Sequence, residues 1–407
     1  MILVENLPSP FDRRVWQEAT TLRDAGYAVS IICPTGKGFE SKFENIDGIA
    51  IWRYDLPIEG EGAKGYAIEY SVALARTFML CWRVLLKDGF DVIQACNPPD
   101  LFFLIGRFFK LFGKKFVFDH HDINPELYEA KFGRRDFFYR VLLKLERWTF
   151  RTADVSIATN ESYRRIAMER GGMAPERVFV VRSGPSLQRM KIGPPDERLK
   201  RGRRYLVGYV GVMGKQEGVD YLLRAIHHLV FHLHRTDIHF GLVGGGTSLE
   251  TMKALAVDLR VADYVTFTGR VADEEMLAML NTADICVNPD IANEMNDKST
   301  MNKIMEYMAL GKPIVQFDLA EGRFSAQGAS LYAKKNDVVD LAQNIVALID
   351  NVQLRAEMGA CGRKRVESEL EWRHEAPKLL AAYDSLWKSA KAQQPVDQPA
   401  DVPTARL

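Results

Sequence analysis

What most constrains this chain is a repeated alternation. Short apolar runs that do not alternate with polar residues are separated, again and again, by amphipathic helical stretches. Runs at 2–4, 29–33, 49–54, 92–95, 116–118, 155–158 and 178–181 are too short and too uniformly apolar for strands with one wet face. Strands buried on both faces read this way, and strands alternating with helices imply parallel sheets covered by helices on both sides. The first helical stretch, 14–25, carries Val15, Ala19 and Leu22 on one face and stops at Gly26.

The alternation pauses at 186–203, where Gly193, Pro194 and Pro195 precede the basic run Lys200 to Arg204. That is linker composition. A second series follows, at 205–210, 238–243, 265–268, 285–288, 314–317 and 331–333. The expected organisation is therefore an α/β chain of two Rossmann-like doubly wound domains, 1–185 and 204–372, facing a cleft. A C-terminal helix within 373–390 carries Leu379, Leu380, Tyr383 and Trp387 as an apolar stripe, and is expected to cross back to the first domain. The tail 391–407, rich in Pro, Gln and Asp without periodicity, reads as disordered.

Composition narrows the partners. With 54 basic and 53 acidic side chains in 407 residues, the chain is not the strongly basic kind that binds nucleic acid. No apolar stretch reaches the length of a membrane span, and the N-terminus lacks the charged and apolar regions of a signal peptide. Five scattered cysteines without metal-ligand spacing suggest reduced thiols in a cytoplasmic protein.

Ligands of open α/β sheets sit beyond the carboxyl ends of the strands, so the functional residues are expected in the loops there. The densest is 288–313, NPDIANEMNDKSTMNKIMEYMALGKP. A strand runs into a polar loop and then a helix expected to start near Thr300, with Ser299 or Thr300 as N-cap. A helix N-terminus offers free N–H groups and partial positive charge to a phosphate, and Lys298 and Lys303 flank it. Glu306, one turn from Asn302, suits ribose hydroxyls. An ordinary capped surface helix explains the same spacing. In the first domain, VFDHHDINPE at 117–126 gathers two His, two Asp and a Glu. A metal site and a plain polar turn are both open readings of it.

The segment KIMEYMALGKPIV, 303–315, resembles the donor-binding helix of retaining GT-B glycosyltransferases of family 4. The resemblance extends over nearly the whole ordered chain. It implies that Glu306 binds the ribose of a nucleotide sugar, with Asn302, Lys303, Ser299 and Thr300 beside it. The family's first Glu falls at Lys298. The loop GYVGVMGKQEGVD, 208–220, resembles the segment whose Arg and Lys clamp the donor diphosphate; Val212 and Glu217 stand at those positions, leaving Gly214 and Lys215 as candidates. Gly245, in LVGGG at 242–246, and Arg270, in FTGRV at 267–271, resemble further donor contacts. His121 and Asp122 match the loop whose His meets the donor sugar, although the His120–His121 doublet leaves the register open. Asp12, Arg13, Arg14, Asn97 and Glu126 are expected on the acceptor side.

The resemblance thus implies transfer of a sugar, UDP-linked by preference, to a lipid-linked or oligosaccharide acceptor in cell-surface polysaccharide synthesis. No Asp-x-Asp occurs anywhere in the chain, which suits a site needing neither metal nor cofactor. Two alternatives keep the same fold: a sugar-nucleotide epimerase, and a catalytically silent partner subunit. Finally, segment 101–153 holds 11 basic and 6 acidic residues and 14 of the chain's 42 aromatics. Basic helices with exposed aromatics suit an anionic membrane surface, on the inner face of the cell membrane; aromatics in the core with Arg and Lys solvated is the alternative.

Overall fold

The computed structural model describes residues 1–56 and 62–388; the 391–407 segment expected to be disordered lies outside them. The first domain is an eight-stranded sheet. Its strands are β1 (Ile2–Leu3), β2 (Ser30–Pro34), β3 (Phe43–Ile46), β4 (Ile49–Tyr54), β5 (Val92–Cys96), β6 (Lys115–His120), β7 (Val155–Ala158) and β8 (Val178–Val180). They lie in the order β3-β4-β2-β1-β5-β6-β7-β8. All pair in parallel except β3, which pairs antiparallel with β4. Strand β3 was not foreseen, because it is an edge strand whose residues are exposed or half-exposed and carry no buried apolar run.

The second sheet has six parallel strands, β9 (Tyr205–Val210), β10 (Ile238–Val243), β11 (Val265–Gly269), β12 (Ile285–Asn288), β13 (Ile314–Phe317) and β14 (Ser330–Ala333). Their order is β11-β10-β9-β12-β13-β14. Apolar clusters line each sheet, around Phe109, Phe116 and Phe118 in the first and Leu223, Phe240 and Phe317 in the second. In both sheets the strand order reverses beside the first strand, between β1 and β5 and between β9 and β12. Crevices open at such switch points, and here both face the same cleft.

The chain passes between the domains twice, and the passages touch. Trp372 N donates to the carbonyl of Pro185 at 3.2 Å. A Cβ on Gly184 would stand 2.3 Å from the carbonyl oxygen of Leu370, so the close approach requires glycine there. The last helix, Trp372–Ser385, then packs on the first domain. Trp372 Nε1 donates to Thr21 at 2.9 Å, and the backbone N–H of Arg182 donates to Glu375 at 2.9 Å.

Candidate active site in the cleft between the domains

A cavity of about 390 Å³ lies between the two sheets. From the first domain Asp12, Arg14, His121, Asp122 and Tyr163 line it; from the second, Val212, Glu217, Asp290, Asn302 and Lys303. The segments that build it follow β1, β6, β7 and β8 of the first sheet and β9 and β12 of the second.

The loop after β12 departs from expectation. It forms a short helix, Glu294–Lys298, before the donor-side helix begins at Asn302. Ser299 and Thr300 are not its N-cap; Met301 takes that position and no side chain caps the helix. The two hydroxyls are drawn away by the first domain. Ser299 lies 3.0 Å from the Tyr163 hydroxyl, and Thr300 accepts from Asn160 at 3.0 Å and from Arg182 at 3.4 Å. The uncapped amino end and the exposed Asn302 therefore face the cavity, in the arrangement that attracts phosphate.

Lys303 does not stand free at that terminus. It is half-buried, with Nζ 2.8 and 3.0 Å from the carboxylate oxygens of Asp290 and over the Tyr209 ring. Burial opposes its charge, but Asp290 and Tyr209 outweigh burial and hold the ammonium above the ordinary lysine value. Glu217 shares the pocket, where burial raises its carboxyl. It accepts from the backbone N–H of Gly214 at 3.0 Å. Gly218, at φ +63°, ends that loop; a Cβ there would meet the carbonyl oxygen of Pro289 at 1.9 Å. Lys215 is exposed and forms no ion pair with a described residue. Lys298 also points elsewhere, pairing with Glu294 at 2.6 Å and approaching Glu126 at 3.6 Å.

Glu306 is engaged by arginines. Arg189 Nη1 lies 3.0 Å and Arg13 Nη1 3.5 Å from its Oε1. Both arginines also hold Asp273, each at 2.6 Å. Two carboxylates of the second domain thus bind one arginine of the first domain and one of the linker. Arg189 was missed in the sequence because it sits in a segment read as linker. Arg270 stacks over Phe11 of the first domain at 5.2 Å, also bridging the cleft. The carbonyl of Gly245 accepts from Met213, joining the loops after β9 and β10.

On the opposite wall, the histidine doublet is resolved by burial. His120 is fully buried among Phe118, Phe150 and Tyr163, and burial with Arg170 and His121 nearby pushes its imidazole down to about 3. His121 lines the cavity instead. Its Nε2 is 2.7 Å from Asp119 Oδ2. Arg14 is not a surface cation of the acceptor side. It lies buried on Asp119 at 2.9 Å and near His121 at 3.0 Å, because the helix Arg13–Asp24 turns Arg14 and Glu18 inward with Val15, Ala19 and Leu22. Asp12 caps that helix, accepting from Val15 N–H at 3.1 Å. Cys96, Asp119 and His121 come within 4.8 Å of one another, and Arg14 already supplies the positive charge at the latter two.

Asn97 and Glu126 do not reach the cavity. Asn97 is buried, and its side chain clamps the 119–122 loop: Oδ1 accepts from the N–H groups of His121 and Asp122 at 2.7 and 3.1 Å, and Nδ2 donates to the Asp122 carbonyl at 2.6 Å. Glu126, buried as a polar group at the start of a helix, is paired with Arg170 at 2.7 Å. Asp122 remains on the cavity wall, where burial raises its carboxyl.

Two family models match this chain. Residues 12–189 match Glycosyltransferase Family 4 and residues 204–351 match Glycosyl transferases group 1. The 2-deoxystreptamine glucosyltransferase of Streptomyces kanamyceticus is 26% identical over 330 residues, covering 77% of this chain and 82% of that protein. A Mycobacterium tuberculosis GDP-mannose-dependent alpha-(1-6)-phosphatidylinositol monomannoside mannosyltransferase is 29% identical over 188 residues, 45% of this chain and 48% of its own length. Among solved structures, sucrose-phosphate synthase from Thermosynechococcus elongatus superposes with a TM-score of 0.77 at 17% identity, over 95% of this chain and 98% of that one. Anabaena HepE in complex with UDP-glucose gives 0.73 at 15%, over 94% and 99%. With both halves matched by glycosyltransferase models and the fold shared over nearly its full length, the chain belongs to the family 4-type glycosyltransferases of the GT-B fold.

Proposed function

We propose that this enzyme transfers a sugar from a UDP-sugar to a lipid-linked or oligosaccharide acceptor of a cell-surface polysaccharide, with retention of anomeric configuration and without a metal ion. The observation that carries the reading is the cavity itself. It joins the uncapped amino end of the helix Asn302–Ala309 on one side to His121 on the other. A diphosphate held by helix N–H groups with Lys303 near would leave its sugar facing the first domain. Glu306 takes the ribose, exchanging Arg189 and Arg13 for hydroxyl groups. UDP is favoured because HepE, of the same fold, is known with UDP and UDP-glucose.

The acceptor reading draws on segment 101–153. Here the aromatics divide: Phe102, Phe109, Phe116 and Phe150 are core, whereas Phe112, Phe137, Phe138 and Trp148 are exposed. Between the helices Phe103–Lys110 and Phe137–Thr152, a cavity is lined by Arg107, Lys110, Trp148 and Arg151. No helix among the described residues is long and apolar enough to cross a membrane. The basic, aromatic face suits peripheral docking on the anionic cytoplasmic leaflet, where each cation near the surface contributes about 1 kcal/mol.

The test is a thermal-shift screen with UDP, GDP, ADP and dTDP, followed by transfer assays from the stabilising nucleotide's sugars to membrane lipid extracts, with and without EDTA. Stabilisation by UDP and EDTA-resistant transfer to a lipid fraction are expected. Conversion of free UDP-sugar to an isomer in the absence of acceptor would overturn the transferase reading.

A further inference from the structure

At the far edge of the first sheet lies a cavity of about 530 Å³ that shares none of its described lining residues with the cleft. Its walls come from β3, β4 and the helix Gly62–Lys87. Phe43 of the edge strand stands opposite Trp52 of β4 in the antiparallel register, and the two ring centroids are 4.5 Å apart. Leu80, Arg83 and Lys87 follow the i, i+3, i+7 spacing, so they share one face of the helix. Lys87 Nζ lies 4.3 Å from the Phe43 centroid and 4.9 Å from that of Trp52, and Arg83 lies over Trp52 at 5.5 Å.

The charges gathered there do not cancel. Lys42 pairs with Asp55, and Arg53 with Glu44 at 2.5 Å. Arg83 and Lys87 are exposed and form no ion pair with a described residue. Lys42, Arg53, Arg83 and Lys87 thus have only Asp55 and Glu44 between them. Two donors in the walls are also unanswered. Trp52 is 6% and Arg53 2% exposed, and neither Trp52 Nε1–H nor Arg53 Nε–H has a partner among the described residues. Native interiors leave few donors unpaired, so two on one cavity call for acceptor oxygens from outside the chain. The cations over the indole are long and exposed, so an anion that draws them outward uncovers the ring beneath.

We infer that this cavity is a subsite for an acidic oligosaccharide, a glycan whose sugars carry carboxylates. The C–H face of a sugar ring suits the negative face of an aromatic ring, its hydroxyls suit the unpaired N–H donors, and its carboxylate suits Arg83 and Lys87. That this glycan is the growing acceptor rests on the transferase reading; that the cavity binds it does not. The cavity is tied to the cleft. Arg53 Nη2 donates to the carbonyl of Ser9 at 2.7 Å, in the loop after β1 whose Asn6, Leu7 and Asp12 line the cleft. Arg53 also lies over Phe39 at 5.6 Å, Phe39 is 6.4 Å from Phe11, and Arg270 of the second domain stacks over Phe11. Rings and cations therefore continue from the cavity to the rim of the cleft, along a path open to a glycan whose end reacts there. A membrane surface is the competing occupant. Faces that enter lipid push apolar side chains outward, as Phe112 and Phe137 do, whereas Trp52 is recessed in a hollow.

Calorimetry on the full-length protein tests this with two probes, tetragalacturonate and the neutral maltotetraose. The native protein should bind the acidic probe at least about tenfold more tightly than the neutral one, and Arg83→Gln with Lys87→Gln should forfeit at least about tenfold of that affinity, the scale of charge-assisted bonds. Both positions are exposed, so the double variant should fold, as circular dichroism would check. Phe43→Ala, also exposed, should weaken binding of both probes by removing the platform. Absence of binding, equal affinity for the two probes, or unchanged affinity in the double variant overturns the subsite, whether or not the protein transfers sugar. Phosphatidylglycerol vesicles that bind the native protein but not the double variant, with tetragalacturonate unbound, would overturn it too and give the cations to the membrane. Binding of tetragalacturonate that the double variant loses, in a protein that transfers no sugar from any nucleotide donor, would instead refute the transferase reading and leave the subsite standing.

Discussion

Replacing Lys303 by methionine removes, among the described residues, the only cation paired with Asp290 while preserving volume. Two unit charges about 3 Å apart in a medium of effective dielectric constant about 20 attract by roughly 5–6 kcal/mol. Both partners pay desolvation, so the pair's net worth is smaller, but an orphaned buried carboxylate costs about 3–5 kcal/mol. Asp290 is almost fully buried and has Glu217 for a neighbour, which places Lys303→Met at the upper end. In Lys303→Met with Asp290→Asn no orphan charge remains, and such neutral replacements of buried pairs cost about 1 kcal/mol or less. Urea unfolding of the single and double variants should therefore give a coupling of about 2–4 kcal/mol. Burial already raises Asp290, so the single variant should regain stability as pH falls and lose it as pH rises. A single variant costing under about 1 kcal/mol, or a double variant no better than the single, would refute the argument. The double variant also isolates function. If Lys303 meets the diphosphate, it binds UDP about 10- to 100-fold more weakly by calorimetry, the scale of a charge-assisted hydrogen bond. Unchanged affinity would remove Lys303 from the donor site.

Three other outcomes are expected. Glu306→Ala should lower UDP affinity at least tenfold in calorimetry and leave Arg189 on Asp273 alone; unaltered affinity contradicts the ribose assignment. Gly218→Ala must shift the 289 carbonyl and adopt a left-handed backbone, costing at least about 1–2 kcal/mol for the conformation alone; a thermal melt within a degree of native would show the loop to be more accommodating than its contacts imply. Burial raises Asp100 from 3.8 to about 6, with Asn97 and Asn124 donating to it in part compensation. The folded state then holds its proton more tightly than the unfolded chain, so this contribution is complete below about pH 4 and is lost as pH rises to about 6. The stability of the native protein relative to Asp100→Asn should fall by about 3 kcal/mol across that window and then level off; a flat difference would contradict it.

The strands were legible because each is a short apolar run bounded by turns, and β4, β7, β9, β10, β12 and β13 begin and end where those runs do. The edge strand β3 was not, since half its pairing surface is open to water and its sequence, FENI, carries no buried pattern. The loops that hold Asp12, His121, Asp122, Asn302 and Lys303 could be named from their place after strands. What each side chain does there could not. Asn97 and Glu126 follow strands as expected, yet pairing and burial divert both from the cavity, and Arg14, though on the cavity wall, is turned onto Asp119; each outcome depends on partners dozens of residues away. One signal was available: positions 14 and 18 fall on the same helical stripe as Val15, Ala19 and Leu22, so an arginine and a glutamate had to be facing the interior together.

The two passages between domains, in contact at Gly184 and Leu370, have a mechanical consequence. A pair of adjacent crossings restricts relative motion to rotation about the line between them, as two screws on one hinge plate do. The last helix rides with the first domain although it follows the second in sequence. A fluorophore at the exposed Trp387, beside Met1 and Tyr27, therefore reports the position of the first domain, and paired with one on the exposed Lys253 of the second domain it would read cleft closure directly. Circular rearrangements that separate the crossings would leave both sheets intact while freeing the cleft from its single axis.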